Sequence, residues 1–103
     1  MKSEKQILNF GKKLMKEEIR ALSKAQRYLN INFAKAVNII NSTKGNIVFS
    51  GVGKSKLILE KTCGTFSSLG ISSYVLDASQ ASHGSLGNLH KGDTLVVASN
   101  SGN

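Results

Sequence analysis

The stretch Asn46-Ile47-Val48-Phe49-Ser50-Gly51-Val52-Gly53-Lys54-Ser55 decides the fold. Its apolar first half predicts a buried strand, and the two glycines that follow predict a tight turn. A helical pattern of apolar residues begins directly afterwards. A strand, a turn and a helix start in this order leave unpaired backbone N–H groups at the positive end of a helix dipole. The stretch therefore predicts an anion site at Gly51, Gly53, Lys54 and Ser55.

Helices and strands are predicted to alternate around this stretch. Apolar residues at helical spacing predict helices over about 3–28, 32–41 and 54–69, and short apolar runs predict strands over 46–50, 72–76 and 94–98. Gly45 and Gly70 stand where the second and third helices should end, so each is expected as the residue after the cap. The third strand is expected to be buried on both faces.

The predicted buried face of the third helix is apolar apart from one threonine. It consists of Ile58, Leu59, Thr62, Cys63 and Phe66. Alternating strands and helices predict an α/β fold with right-handed crossovers, preceded by two helices. We expect a doubly wound, three-layer parallel sheet of the flavodoxin-like type with strand order 2-1-3, an order that the alternation alone does not fix. We expect a single domain over 1–103, with helices in 1–44 and the βαβ part in 45–103. Because no helix follows the third strand, the sheet is expected to be truncated, with an open edge.

The composition is that of a small globular protein with a basic surface. The net charge is +8 over 103 residues, and 40% of the residues are apolar. The lysines are scattered and alternate with glutamates, without interleaved aromatics, so the pattern disfavours nucleic-acid binding and favours small anionic ligands. No apolar run is long enough for a bilayer, so no membrane partner is expected. A single cysteine, Cys63, and an N-terminus without a secretory pattern favour the cytoplasm.

A second loop, after the third strand, is expected to face the first loop, residues 51–55. In the order 2-1-3, the loops after strands one and three flank the switch point at which open α/β sheets bind ligands. The second loop contributes Ser99, Asn100 and Ser101, whose hydroxyl and amide groups suit phosphate oxygens. The composition alone is also that of an ordinary turn.

A histidine follows the second strand. His83 lies in Ser79-Gln80-Ala81-Ser82-His83-Gly84, where an imidazole could bond a sugar hydroxyl or carry a proton. The alternative is a surface loop histidine without a role. With two histidines and one cysteine far apart in sequence, no metal site is predicted.

Two nucleotide-binding fingerprints fail at the first loop. A P-loop needs glycine where Val48 stands, and a dinucleotide turn needs glycine where Lys56 stands. Neither nucleotide binding nor a cofactor is therefore predicted.

Four motifs in order carry a family resemblance. They are Gly51-Val52-Gly53-Lys54-Ser55, then 81–87 (Ala-Ser-His-Gly-Ser-Leu-Gly), Lys91-Gly92-Asp93 and Ser99-Asn100-Ser101-Gly102. Together they resemble the start of the sugar isomerase (SIS) domain of the arabinose-5-phosphate isomerase (KpsF/GutQ) family. The resemblance covers nearly the whole chain. It implies isomerisation of arabinose 5-phosphate and ribulose 5-phosphate through an enediol, in the supply of a lipopolysaccharide sugar, and a homo-oligomer in the full-length family.

The resemblance also implies roles for single residues. Lys54 matches the lysine considered catalytically relevant, and His83 matches a substrate-contacting histidine. Ser55, Ser99 and Ser101 match positions that bind phosphate. Gly70 and Ile71 match a substrate-contacting pair after the third helix.

The sequence departs from the family pattern at three positions. Lys56 stands where glycine is usual, Asp77 where a histidine that can bind zinc is often found, and Asn103 where glutamate is common. The sequence also stops before the family's proposed catalytic glutamate and a later histidine. We therefore expect an N-terminal fragment of a phosphosugar isomerase that is inactive alone. The alternatives are a non-catalytic phosphosugar-binding or regulatory module and a non-functional remnant of a split gene.

Overall fold

The structure, a computed structural model, describes residues 1–78 and 85–99. Its elements are α1 Glu4–Tyr28, α2 Ile31–Asn41, β1 Ile47–Gly51, α3 Gly53–Ser68, β2 Ser73–Asp77, a short 3₁₀ helix Ser85–Asn88 and β3 Thr94–Val97. Every helix and strand expected above is present, with ends that differ by at most one residue. Residues 79–83, a polar loop sequence that is also compatible with a helical turn, lie outside the described residues.

The chain forms two compact units, Met1–Ala36 and Val37–Asn103, whose boundary falls within α2. The expected single domain over 1–103, with helices in 1–44 and the βαβ part in 45–103, stays a prediction. In the first unit, α1 begins at a capping box. The Gln6 N–H donates to Ser3 Oγ at 3.2 Å, and the Ser3 N–H donates to Gln6 Oε1 at 2.9 Å. This exchange satisfies two N–H groups at the helix start.

The second unit contains a parallel sheet in the order β2-β1-β3, as predicted. β1 is central and pairs Ile47 with Ser73 on one side and with Thr94 on the other. All five residues of β1 are buried. Burial on both faces explains why β1 is the most apolar part of the deciding stretch.

The core lies between β1 and α3. Ile47, Phe49 and Leu59 form its buried centre, and the Phe49 and Phe66 rings meet edge to face with centroids 5.2 Å apart. On α3 the stripe that faces the core consists of the buried Leu59 and the partly buried Cys63 and Phe66, at spacings of four and three residues. The expectation that Ile58 is buried is wrong. Ile58 is 67% exposed because it lies about 100° around the helix from Leu59.

The end of α3 follows the prediction at Gly70. Gly70 has φ +81°, its N–H donates to Ser67 O, and the Ile71 N–H donates to Phe66 O. These two bonds form a Schellman motif, in which glycine takes a left-handed conformation at no steric cost.

The same prediction is wrong for Gly45, which does not have a positive φ. Side chains close α2 instead, since the Thr43 hydroxyl donates to Ile39 O at 2.8 Å. A glycine is required at position 45 because the turn that contains Gly92 and Asp93 lies close to its backbone. Its N–H donates to Gly92 O at 2.9 Å, and a Cβ there would collide with the carboxylate of Asp93.

The expectation that β3 is buried on both faces is also wrong. Its burial alternates, and Leu95 and Val97 are 48% and 61% exposed. Val96, on the other face, packs against the core. Within the described residues β3 pairs with β1 alone, so it is an edge strand with one open face. Among the helices of the same residues, none combines the length and hydropathy that a membrane span needs.

Candidate functional site

The turn between β1 and α3 has the predicted form. Gly51 ends β1, Val52 is the N-cap of α3, and Gly53 has φ +59°. Val52 offers no side-chain cap to the helix, so the first N–H groups of α3 are not satisfied by that side chain. A Cβ at Gly53 would meet no atom of residues 1–78 and 85–99 within 4 Å. With respect to these residues the turn is open to a ligand, and its backbone suits an anion.

The carboxyl end of β3 lies directly beside this turn. The Ala98 N–H donates to Ser50 O at 3.1 Å, which extends the hydrogen bonding between the two strands one residue beyond the end of β3. A Cβ at Gly51 would lie 3.1 Å from Ala98 O and 3.1 Å from a methyl group of Leu59. Because Gly51 has no side chain, β1 and β3 approach closely at the edge where the two loops leave the sheet.

The polar groups of the first loop lie on the first turn of α3. Lys54 is exposed and Ser55 is half-buried. Ser99, which follows Ala98, is exposed. The chain thus brings Gly51, the start of α3 and Ser99 to one edge of the sheet.

The predicted pair Gly70 and Ile71 lies elsewhere. It precedes β2, and the Ile47 N–H donates to the neighbouring Ser72 O at 3.0 Å, at the amino ends of the strands. A five-residue strand is about 16 Å long, so within one chain the sheet separates this pair from Gly51. His83, Asn100 and Ser101 lie outside the described residues, so their predicted roles stay predictions.

Sequence reasoning missed one interaction at this edge. Lys56 Nζ contacts Asp77 Oδ2 at 3.0 Å, and Glu60 lies 3.7 Å from the same ammonium. The hydrogen bond to Asp77, followed by the charge of Asp77, raises the pKa of Lys56. Both residues stood out in the sequence only as separate departures. The sequence did contain a signal for this ion pair. Lys56 falls on the first turn of α3 and Asp77 at the end of β2, and both positions lie at the carboxyl edge of a parallel sheet.

No group of three or more histidine, cysteine, aspartate or glutamate side chains could hold a metal ion within 1–78 and 85–99.

Comparison with curated sequences shows that this chain is similar to part of the arabinose 5-phosphate isomerases. The arabinose 5-phosphate isomerase KdsD of Shigella flexneri is 37% identical over 92 residues, which are 89% of this chain and 28% of the relative. GutQ of Escherichia coli K12, also an arabinose 5-phosphate isomerase, is 33% identical over 93% of this chain and 30% of its own length. No protein-family model matches the chain.

Solved structures agree with the sequences. An E. coli CFT073 protein in complex with arabinose 5-phosphate matches 96% of this chain with TM-score 0.88 and 31% identity. A Listeria monocytogenes protein assigned as a sugar-phosphate isomerase matches all of it, with TM-score 0.89 and 30% identity. In sequence and in fold, the chain is therefore similar to part of the SIS-domain phosphosugar isomerases that include KdsD and GutQ.

The chain matches only part of the length of these relatives. It spans about 28–30% of the curated isomerases and 53–55% of these two solved chains. The sequence-based recognition and fold class are thereby confirmed. The individual site residues stay predictions.

Proposed function

We propose that the carboxyl ends of β1 and β3 form the phosphate-binding part of a phosphosugar site. The observation that carries the proposal is the contact between these two ends, where Ala98 bonds Ser50 and lies against Gly51. The start of α3, which the Val52 side chain does not cap, lies at the same edge and supplies N–H donors for an anion. The E. coli neighbour bound to arabinose 5-phosphate supports this ligand class.

The proposed roles follow from the chemistry of each group. Gly51 and Gly53 let phosphate oxygens approach the backbone, and the hydroxyls of Ser55 and Ser99 donate hydrogen bonds to them. Lys54, exposed on the first turn of α3, adds a positive charge. Asn100, Ser101 and His83 complete the proposed ligand set on the strength of the sequence.

The reaction that we propose for the whole protein is the interconversion of arabinose 5-phosphate and ribulose 5-phosphate. In the aldose-to-ketose direction, a base removes the proton from C2 and the carbonyl oxygen at C1 gains a proton, which gives an enediol. A proton delivered to C1 and the loss of the hydroxyl proton at C2 then give the ketose. Lys54 is proposed as the catalytic residue of this chain, because its ammonium could stabilise negative charge that develops on the carbonyl oxygen.

Gly70 and Ile71 fit this proposal only through a second subunit. Since the sheet separates them from the turn within one chain, a second copy would have to bring its own pair to the site. This arrangement accords with the homo-oligomer expected for the full-length family. The expected cytoplasmic location, which rests on the sequence, also stays a prediction.

Calorimetric titration with arabinose 5-phosphate tests the proposal. We expect saturable binding that Lys54→Gln weakens about 10-fold or more, because a charge-assisted contact contributes about 1.5–3 kcal/mol. Ser55→Ala should weaken it about 3- to 10-fold for the loss of one hydrogen bond. Lys61→Gln is the matched control, because Lys61 is also an exposed lysine on α3 but lies about two turns beyond Lys54.

Two outcomes would contradict the proposal. One is a flat titration on folded protein, and the other is equal weakening by Lys54→Gln and Lys61→Gln. Turnover of ribulose 5-phosphate is measured separately. Binding without turnover would favour a phosphosugar-binding module as the function of these 103 residues.

A further inference from the structure

The ion pair between Lys56 and Asp77 stands beside the proposed phosphate site. Asp77 is the last residue of β2, and its Cα pairs in register with Gly51, the last residue of β1. Lys56 lies on the first turn of α3, with its backbone nitrogen 3.4 Å from where a Cβ on Gly51 would stand. The pair therefore adjoins the turn from the β2 side, while β3 adjoins it from the other.

Asp77 places a negative charge where an anion is proposed to bind. Neighbouring strands lie about 4.8 Å apart, so the carboxylate of Asp77 is within a Debye length, about 8 Å at physiological salt, of the turn. The side chains of Lys56 and Asp77 are only 32% and 29% exposed, so water screens this charge incompletely. Without compensation, such a carboxylate would repel a phosphate group.

Lys56 supplies the compensation. Its ammonium donates a hydrogen bond to Asp77 Oδ2 at 3.0 Å, whereas the contact with Glu60 is longer, at 3.7 Å. Glu60 lies one turn further along α3, away from the carboxyl edge, and its side chain is 47% exposed. Of the two carboxylates, Asp77 is therefore the one that the ammonium neutralises most directly, and it is also the one closer to the turn.

We propose that Lys56 is a positioning residue of the phosphosugar site, which holds and neutralises the Asp77 carboxylate so that an anionic ligand can approach the turn at Gly51–Gly53. This inference rests on the proposed function. It assigns Lys56 an action through Asp77 and no direct contact with the phosphate.

A double-mutant cycle, read by titration with arabinose 5-phosphate, tests this assignment. Lys56→Gln should weaken binding about 3- to 10-fold, the effect of one partly screened charge. Lys56→Gln combined with Asp77→Asn should bind within about 2-fold of wild type, because the repelling charge is gone as well. Lys56→Arg, which keeps the charge, should also stay within about 2-fold. The matched control is Lys61→Gln, which should change nothing.

Each other outcome would overturn the inference. If the double variant binds as weakly as Lys56→Gln, then Lys56 contacts the ligand directly. If Lys56→Gln binds as wild type does, Asp77 needs no neutralisation. Thermal melts show whether each variant folds. If Lys56→Gln does not fold, the single variant Asp77→Asn tests the inference. Weaker binding of arabinose 5-phosphate by Asp77→Asn would contradict repulsion of the ligand by Asp77. If the wild-type protein binds no arabinose 5-phosphate, the proposed function is contradicted as well. If the wild-type protein binds it but the variants do not behave as expected, only the role of Lys56 is contradicted.

Discussion

At the scale of single residues, Asp93 holds together the start of the sheet. Its carboxylate accepts hydrogen bonds from the Asn46 N–H at 2.8 Å and the His90 N–H at 2.9 Å. The same carboxylate lies against Gly45, which leaves it room. The bond from Asn46, followed by that from His90, lowers the pKa of Asp93 below its ordinary value of 3.8. Asp93 thus links the residue before β1 to the turn that precedes β3.

The lowered pKa predicts how stability depends on pH. A depressed pKa in the folded state means that the charged carboxylate stabilises the fold above the unfolded-state pKa. This contribution is lost as the pH falls through the folded-state pKa. Asp93→Asn should therefore lower the thermal midpoint at pH 7, and the gap from wild type should close at pH values below 3.8. Circular dichroism melts across this pH range provide the measurement.

Glu17→Gln on α1 is the control for Asp93→Asn, because it removes an exposed carboxylate in the other unit. It should leave the midpoint nearly unchanged at pH 7. A gap between wild type and Asp93→Asn that persists undiminished in acid would show that the ionised carboxylate is not what stabilises this turn.

At the scale of elements, β1 and β3 carry valines in opposite environments on the same face of the sheet. Val48 on β1 is fully buried, whereas Val97 on β3 is 61% exposed. Register places them on one face, since Val48 pairs with Leu95, two residues before Val97. The same substitution at both positions therefore measures burial alone.

Val48→Ala should lower the free energy of unfolding of this chain by about 2–3 kcal/mol, because two buried methyl groups are lost and a cavity remains. Val97→Ala should lower it by less than about 0.5 kcal/mol, as surface substitutions do. Urea denaturation followed by circular dichroism measures both. Equal losses at the two positions would mean that Val97 is covered in solution, which would contradict an open face on β3.

Prediction from sequence succeeded where a local pattern sufficed. The apolar runs and the helical spacing predicted each helix and strand, and the alternation of the two predicted the α/β class. The expected strand order 2-1-3, which alternation alone does not fix, is confirmed. The prediction failed for β3 because burial of its second face depends on what packs there, which no local pattern records. It failed for Gly45 because the need for a glycine comes from Asp93, distant in sequence.

The same limit applies to the candidate site. The sequence predicted which loops meet, because the end of a parallel strand fixes where its loop begins. It did not predict the Lys56–Asp77 ion pair, since a contact between residues 21 positions apart needs the register of β1 and β2. The register also placed Gly70 and Ile71 at the opposite edge from Gly51, which the motif match alone did not indicate.

At the scale of the whole molecule, the excess of positive charge acts on any anionic ligand. The chain has 14 lysines and arginines against 6 acidic residues, with a net charge of +8. A sugar phosphate carries about two negative charges at neutral pH. The summed field of a basic protein raises the rate of encounter with such a ligand, and salt screens this field.

We therefore expect the affinity for arabinose 5-phosphate to fall as sodium chloride rises from about 10 mM to about 300 mM, since the Debye length shortens from about 30 Å to less than 8 Å. Titrations at constant pH measure the fall. Sucrose added instead of salt is the control, because it changes the solvent without screening charge, and it should leave the affinity unchanged. An affinity independent of salt would show that short-range contacts in the turn, and not the charge of the whole molecule, dominate recognition of the phosphate.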